Sequence, residues 1–336
     1  MDRGRAIDLL ISEARARVAS GAWGDVRALL SEREGEVRQR PELIALLGEA
    51  YLRTHAPREA CGWLERTILD LRRAGDRAAL RKATNLVGVA RFELGDLDAA
   101  EHAFHAAVSL GRIDGDDVAL ARATNNLGLI ANVRGRHAEA LALYRVAIPS
   151  YQRLGQPRGL AETYHNLAIT FRDVGDVAHA EACERRAIEY ARQAADERLV
   201  AMAQVGLAEL QFRQGDAALA EATARRGADV FARIGDAKGE ADALRLAGVA
   251  AIALAKYDVA EAVLARAVEL ASSRGYALVE GEARHAQAEL ALVRGDLQGA
   301  RAAAAAALTL FERVRAASNA AALRAWMSST LPPDAP

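Results

Sequence analysis

The sequence predicts an all-α protein built as a solenoid of helical hairpins, and three observations carry that prediction. Glycine recurs every twenty residues: of fourteen rungs from 35 to 295, eleven are filled, by Gly35, Gly75, Gly95, Gly115, Gly135, Gly155, Gly175, Gly215, Gly235, Gly275 and Gly295. The other three rungs are His55, Ala195 and Ala255. Aspartate follows the rung at eight places: Asp76, Asp96, Asp116, Asp176, Asp196, Asp216, Asp236 and Asp296. The segments between are rich in Ala, Leu, Arg and Glu, all good helix formers, and no window alternates with the period of a strand.

A fixed spacing of turns is a fixed length of helix, so the chain reads as an array. Glycine in the left-handed conformation ends one helix, and the aspartate carboxylate caps the next by accepting a backbone N–H. Subtracting the connection leaves about sixteen residues per helix, or about 24 Å. The elements follow in order: a first hairpin over 5–34, forty-residue units starting near 41, 81, 121, 161, 201, 241 and 281, and a capping helix over 318–329 in which Trp326 covers the end of the stack. The first unit is shorter, because Gly21 to the equivalent turn at His55 spans 34 residues. Residues 1–331 are read as one domain and 332–336 as a disordered tail. Pro41, Pro57 and Pro157 fall where a helix begins and the missing N–H does no harm. Pro149 falls late in a helix and is expected to bend or end it, re-angling a surface beside Tyr144 and Tyr151. The unit 201–240 departs most from the pattern, with Gln211 and Gly227 at usually apolar or alanine sites, and is read as a softer joint.

Two positions of the unit are small throughout. The eighth is Gly48, Gly88, Gly128, Ala168, Ala208, Gly248 and Ala288, and the twentieth is alanine in all seven units, Ala60 to Ala300. Small residues there let antiparallel helices approach closely.

Leu127-Gly128, Gly135, Ala140, Tyr144 and Ala147, and likewise Val87-Gly88, Gly95, Ala100, Phe104 and Ala107, resemble the tetratricopeptide repeat. The resemblance covers roughly residues 5–316. Similar long units occur in kinesin light chains, in Pins-type adaptors and in bacterial peptide receptors of the Rap and PlcR kind. It implies a right-handed superhelix of about eight hairpins whose first helices line a concave groove.

Composition excludes several classes. With 51% hydrophobic and 26% charged residues the chain can pack a core. A formal net charge of −1 argues against a nucleic-acid or anionic-membrane surface. Cys61 and Cys183 lie 122 residues apart, so no disulfide framework is expected. No apolar signal core follows Met1, and the longest apolar run, Leu246 to Ala255, is too short to cross a bilayer, so a cytoplasmic protein is expected.

No catalytic constellation stands out, so no enzyme, cofactor or metal site is expected. His102 and His105 beside Glu101 lack a third metal ligand, and Asp114-Gly115-Asp116-Asp117 reads as a turn and a cap. Positions 2, 5, 9 and 12 of each first helix form one stripe, which in the resembling family faces the groove. The candidate binding residues are Lys82, Asn85, Arg122, Asn125, Asn132, His165 and Arg172 on that stripe, with Asn126, Asn166 and Arg213 beside it. Asparagine amides offer both donor and acceptor to an extended peptide, and the cations favour an acidic partner. The competing reading is that the asparagines brace adjacent units. Three functions remain open: an adaptor binding a peptide or protein segment in the groove, a peptide-sensing regulator acting through a separate output subunit, and a structural subunit self-associating through the thin Ala302 to Ala307 helix.

Overall fold

A computed structural model describes residues 3–19 and 21–331, and every described element is a helix. The tail 332–336 lies outside the described residues. The chain divides into two compact units, Met1–Ala123 and Thr124–Pro336. The first holds α1 (Arg3–Ala19), α2 (Trp23–Ser31), α3 (Glu34–Val37), α4 (Pro41–Arg53), α5 (Pro57–Ala74), α6 (Arg77–Glu93), α7 (Leu97–Asp114) and the start of α8 (Asp117–Val133). The second holds the rest of α8, then α9 (His137–Arg153), α10 (Pro157–Asp173), α11 (Val177–Gln193), α12 (Glu197–Arg213), α13 (Ala217–Ile234), α14 (Ala237–Ala253), α15 (Tyr257–Arg274), α16 (Ala277–Val293), α17 (Leu297–Arg313) and α18 (Ala317–Thr330). None of these helices is long and apolar enough to cross a membrane.

Turn chemistry sets the helix lengths. From α6 to α17 every helix has 17 or 18 residues. All eight ladder aspartates accept the backbone N–H three residues on, from 2.8 Å at Gly299 to 3.2 Å at Ala99 and His179. The glycines from Gly75 to Gly295 on the ladder take positive φ. So do the three exceptions, His55, Ala195 and Ala255, at φ of 51–55°, and Arg315, one rung further on. The turn is therefore demanded by the array even where no glycine supplies it, at about 1–2 kcal/mol of strain per residue. Gly35 is a false rung: it lies inside α3 and has no left-handed φ, because α2 is only nine residues long and the chain makes a further helical turn before α4.

The helices of a hairpin meet through a size exchange between the eighth and twenty-fourth positions of the unit. A Cβ added to Gly48, Gly88, Gly128 or Gly248 would lie 2.4–2.6 Å from Leu64, Phe104, Tyr144 or Leu264. Where the eighth position is Ala208 or Ala288, its counterpart shrinks to Ala224 or Ala304, and all four alanines are fully buried. The twentieth-position alanines are all at 0% exposure. Glycine thus faces a large side chain and alanine a small one in these six hairpins.

Two expectations change. α9 runs through Pro149 to Arg153, and Tyr144 and Tyr151 are buried, so the proline exposes no surface beside them. The unit 201–240 is tightly packed: the missing side chain at Gly227 makes room for Val205, whose Cγ2 would lie 2.5 Å from an added Cβ. The second unit also turns back on itself, since Ser318 at the start of α18 lies within 3.7 Å of a Cβ built on Gly135 in the α8–α9 turn.

Two substitutions separate the turn constraint from the seam. Gly175→Ala, with open space around it, should cost about 1–2 kcal/mol through its φ alone. Gly128→Ala should cost about 1–3 kcal/mol by overpacking, and less when Tyr144 is also cut to Ala. Urea unfolding midpoints of the wild type, Gly175→Ala, Gly128→Ala, Tyr144→Ala and the double variant measure both.

Candidate functional site on the first helices

In the second unit a diagonal chain of charges crosses successive first helices. Arg172 in α10 lies 2.8 Å from Glu209 in α12, and Glu209 lies 3.3 Å from Arg245 in α14. Arg245 pairs with Asp242 at 2.9 Å and reaches Glu282 in α16 at 3.9 Å, and Asn319 in α18 donates to Glu282 at 3.0 Å. Each step advances 36 or 37 residues against a unit of forty. The chain therefore links the twelfth position of one helix to the ninth of the next, then the fifth, then the second, slipping about one turn at each helix.

Burial makes these pairs consequential. Arg172, Glu209 and Arg245 side chains are 20%, 17% and 14% exposed. Burial alone pushes the Glu209 carboxyl up, but the Arg172, Arg245 and Arg213 guanidiniums outweigh it and hold the carboxyl down at about 2. Burial dominates at Glu282, with Asp242 and Glu209 adding repulsion, and raises its carboxyl despite Arg245. Arg245 stays firmly protonated: burial disfavours its charge, but Asp242, Glu209 and Glu282 reverse that.

Amides and a histidine occupy the start of the same unit. Asn166 Nδ2 donates to Asn125 Oδ1 at 3.3 Å, and Asn125 Nδ2 donates to Asn126 Oδ1 at 3.4 Å. Asn132 donates to Asp173 at 2.9 Å, and its Oδ1 lies 2.9 Å from His137 Nδ1. His165 Nδ1 lies 3.0 Å from both oxygens of Glu184. Glu184 is 2% exposed, and burial raises its carboxyl against the pull of His165. It sits where Gly206 leaves space, an added Cβ falling 2.1 Å from its Oε1.

In the first unit, Lys82 Nζ pairs with Glu49 at 2.7 Å. Arg81 is clamped by Asp114 at 2.5 Å and by Asp116. A cavity of about 260 Å³ opens beside them, walled by Ala78, Ala107 and Ala119 and bordered by Arg81, Lys82 and Arg122. No metal-binding cluster occurs among the described residues. His102 and His105 are exposed on α7, whereas Cys61 and Cys183 are buried, and burial pushes both thiols up to about 11.

Residues 119–193 match the family model for the tetratricopeptide repeat. Residues 119–193 carry tetratricopeptide repeats. Three solved structures resemble it in fold. One is a Rap protein complexed with Competence and Sporulation Factor: 14% identity over 97% of both chains, TM-score 0.65. The second is the Rap conjugation gene regulator of plasmid pLS20 in complex with the Phr* peptide: 15% identity over 88% of this chain and 77% of that one, TM-score 0.68. The third is NprR in complex with its cognate peptide NprX: 13% identity over 90% and 88%, TM-score 0.60. No curated protein matches the chain by sequence.

The ten candidate residues divide into two groups. Asn85, Asn125 and Asn132 are buried, at 8%, 3% and 4% exposure, and Arg172 is occupied by Asp173 and Glu209. Lys82 is half-exposed but neutralised by Glu49. His165 is occupied by Glu184, with 11% of its side chain exposed, whereas Asn126 and Asn166 are partly exposed and Arg122 and Arg213 are exposed. Sequence reasoning missed Glu49 and the Glu184–Gly206 pair. The second left a signal: Glu184 is the one charged residue at a position otherwise held by Leu, Phe, Tyr or Ala.

Glu209 should be the keystone of the charge chain. Its folded pKa is depressed, so its contribution is present above the unfolded value near 4.3 and lost as pH falls toward about 2. Glu209→Gln should cost about 3 kcal/mol at pH 7 and progressively less from pH 5 downward. Urea unfolding at pH 7, 5 and 3.5 measures the difference.

Proposed function

We propose that this protein is a non-enzymatic scaffold that holds an extended peptide or protein segment against the first helices of its repeats. The observation that carries this reading is the division of labour on the second unit's stripe. Asn125, Asn132, Arg172 and His165 are buried or paired and fix the helices, His165 being held by Glu184 with 11% of its side chain exposed, while Asn126 and Asn166 stand beside them, partly exposed. An amide has two donors and two acceptor lone pairs, so Asn166 keeps capacity beyond its bond to Asn125. A bound segment would find polar groups already oriented, with little side-chain entropy left to lose. The pLS20 Rap regulator and NprR, similar in fold, are each seen with a peptide, which supports the same use here. The acidic character expected of the partner rests on Arg122 in the first unit and Arg213 in the second.

Selection of a displayed random-peptide library on the full chain, followed by calorimetry, tests this. The double variant Asn126→Ala, Asn166→Ala should keep its circular dichroism spectrum and weaken a selected peptide about tenfold or more, the loss of one or two hydrogen bonds. Unchanged affinity would overturn the reading.

A further inference from the structure

We infer that the cavity between α6, α7 and the start of α8 is a carboxylate-binding pocket centred on Arg122. Every other cation around it already has a carboxylate. Arg77 pairs with Asp114 at 2.7 Å, Arg81 with Asp114 and Asp116, and Lys82 with Glu49, which also takes Arg53 at 3.4 Å. Arg122 is exposed, borders the cavity, and has no hydrogen bond or ion pair among the described residues. Four cations therefore share three carboxylates, and the fifth, the Arg122 guanidinium, is left over and faces an open space. A guanidinium presents a planar fork of donors matched to the two oxygens of a carboxylate.

The cavity's size and walls narrow the ligand. At about 260 Å³ it is smaller than the ~300–1,000 Å³ of sites for drug-sized molecules, so it suits a side chain or a chain end. Ala78, Ala107 and Ala119 leave the approach unobstructed, and the half-exposed Lys82, already paired with Glu49, stands at the rim. Asp116 also borders the space, and its charge disfavours a phosphate dianion more than a singly charged carboxylate. This inference names the chemistry of one contact within the binding reading above, the acidic side chain or C-terminus of a bound segment. The pocket and its charge count do not depend on the asparagines that carry that reading.

The test titrates the full chain with small probes while the arginine Nε–H resonances are followed by NMR. The probes are acetate, acetyl-Ala-Ala-Ala with a free C-terminus, acetyl-Ala-Ala-Glu-amide, the uncharged acetyl-Ala-Ala-Ala-amide, and inorganic phosphate. A saturable shift of the Arg122 Nε–H with the carboxylate probes, absent with the amide and about tenfold or more weaker in Arg122→Gln, supports the pocket. The stronger of the two charged peptides then tells a chain end from a side chain. Because Arg122 is exposed and unpaired, Arg122→Gln should fold normally, which circular dichroism checks. Shifts equal for acid and amide, shifts unchanged in Arg122→Gln, or phosphate binding more tightly than every carboxylate would each overturn the inference. The readout needs no library-selected peptide, so this proposal and the scaffold reading fail independently.

Discussion

A left-handed backbone step every twenty residues is the constraint on which the other features of this structure rest. It stops each helix at 17 or 18 residues and, with the aspartate cap, starts the next. Constant helix length keeps the forty-residue units in register. Register in turn brings the eighth and twenty-fourth positions face to face in one hairpin after another, so Gly88 can receive Phe104 and Gly128 can receive Tyr144. The persistence of the conformation at His55, Ala195, Ala255 and Arg315 shows that tertiary packing enforces the turn against local preference.

Register also lets charge travel. Since each first helix is displaced by about one turn from its predecessor, residues 36 or 37 apart become neighbours and Arg172, Glu209, Arg245 and Glu282 align obliquely. Removing such groups from water is costly, and the alternation of sign offsets that cost only while each member is present. The second unit thereby gains ties between repeats that its alanine-rich seams cannot supply by bulk alone. His165 and Glu184 extend the same logic: a buried carboxylate occupies the gap left by Gly206 and orients an imidazole on the stripe.

Under the proposed reading, bracing and binding draw on one set of residue types that differ in exposure. The amides of Asn125 and Asn132 are spent inside the protein, whereas Asn126 and Asn166 are partly exposed. Rigid support beneath a few accessible polar groups is the arrangement that lowers the entropic cost of holding an extended chain. Arg122 belongs to the accessible group for a different reason: Asp114, Asp116 and Glu49 are already paired with Arg77, Arg81, Lys82 and Arg53.

The helices, their lengths, their caps and the small residues of the seams were legible in the sequence, because each depends on residues adjacent in the chain or on a strict period. Asp76 caps Ala79 and Gly75 turns left-handed whatever lies elsewhere in the fold. Gly35 shows the limit of that reasoning, since it matched the period and yet lies inside a helix. Which stripe residues face solvent was not legible. Periodicity places Asn125 and Asn126, or Arg172 and Arg213, on neighbouring faces, but the displacement of one helix against the next decides whether a carboxylate stands opposite. That displacement arises from packing between repeats forty residues apart, so only the tertiary structure could pair Arg172 with Glu209 and leave Arg122 with none.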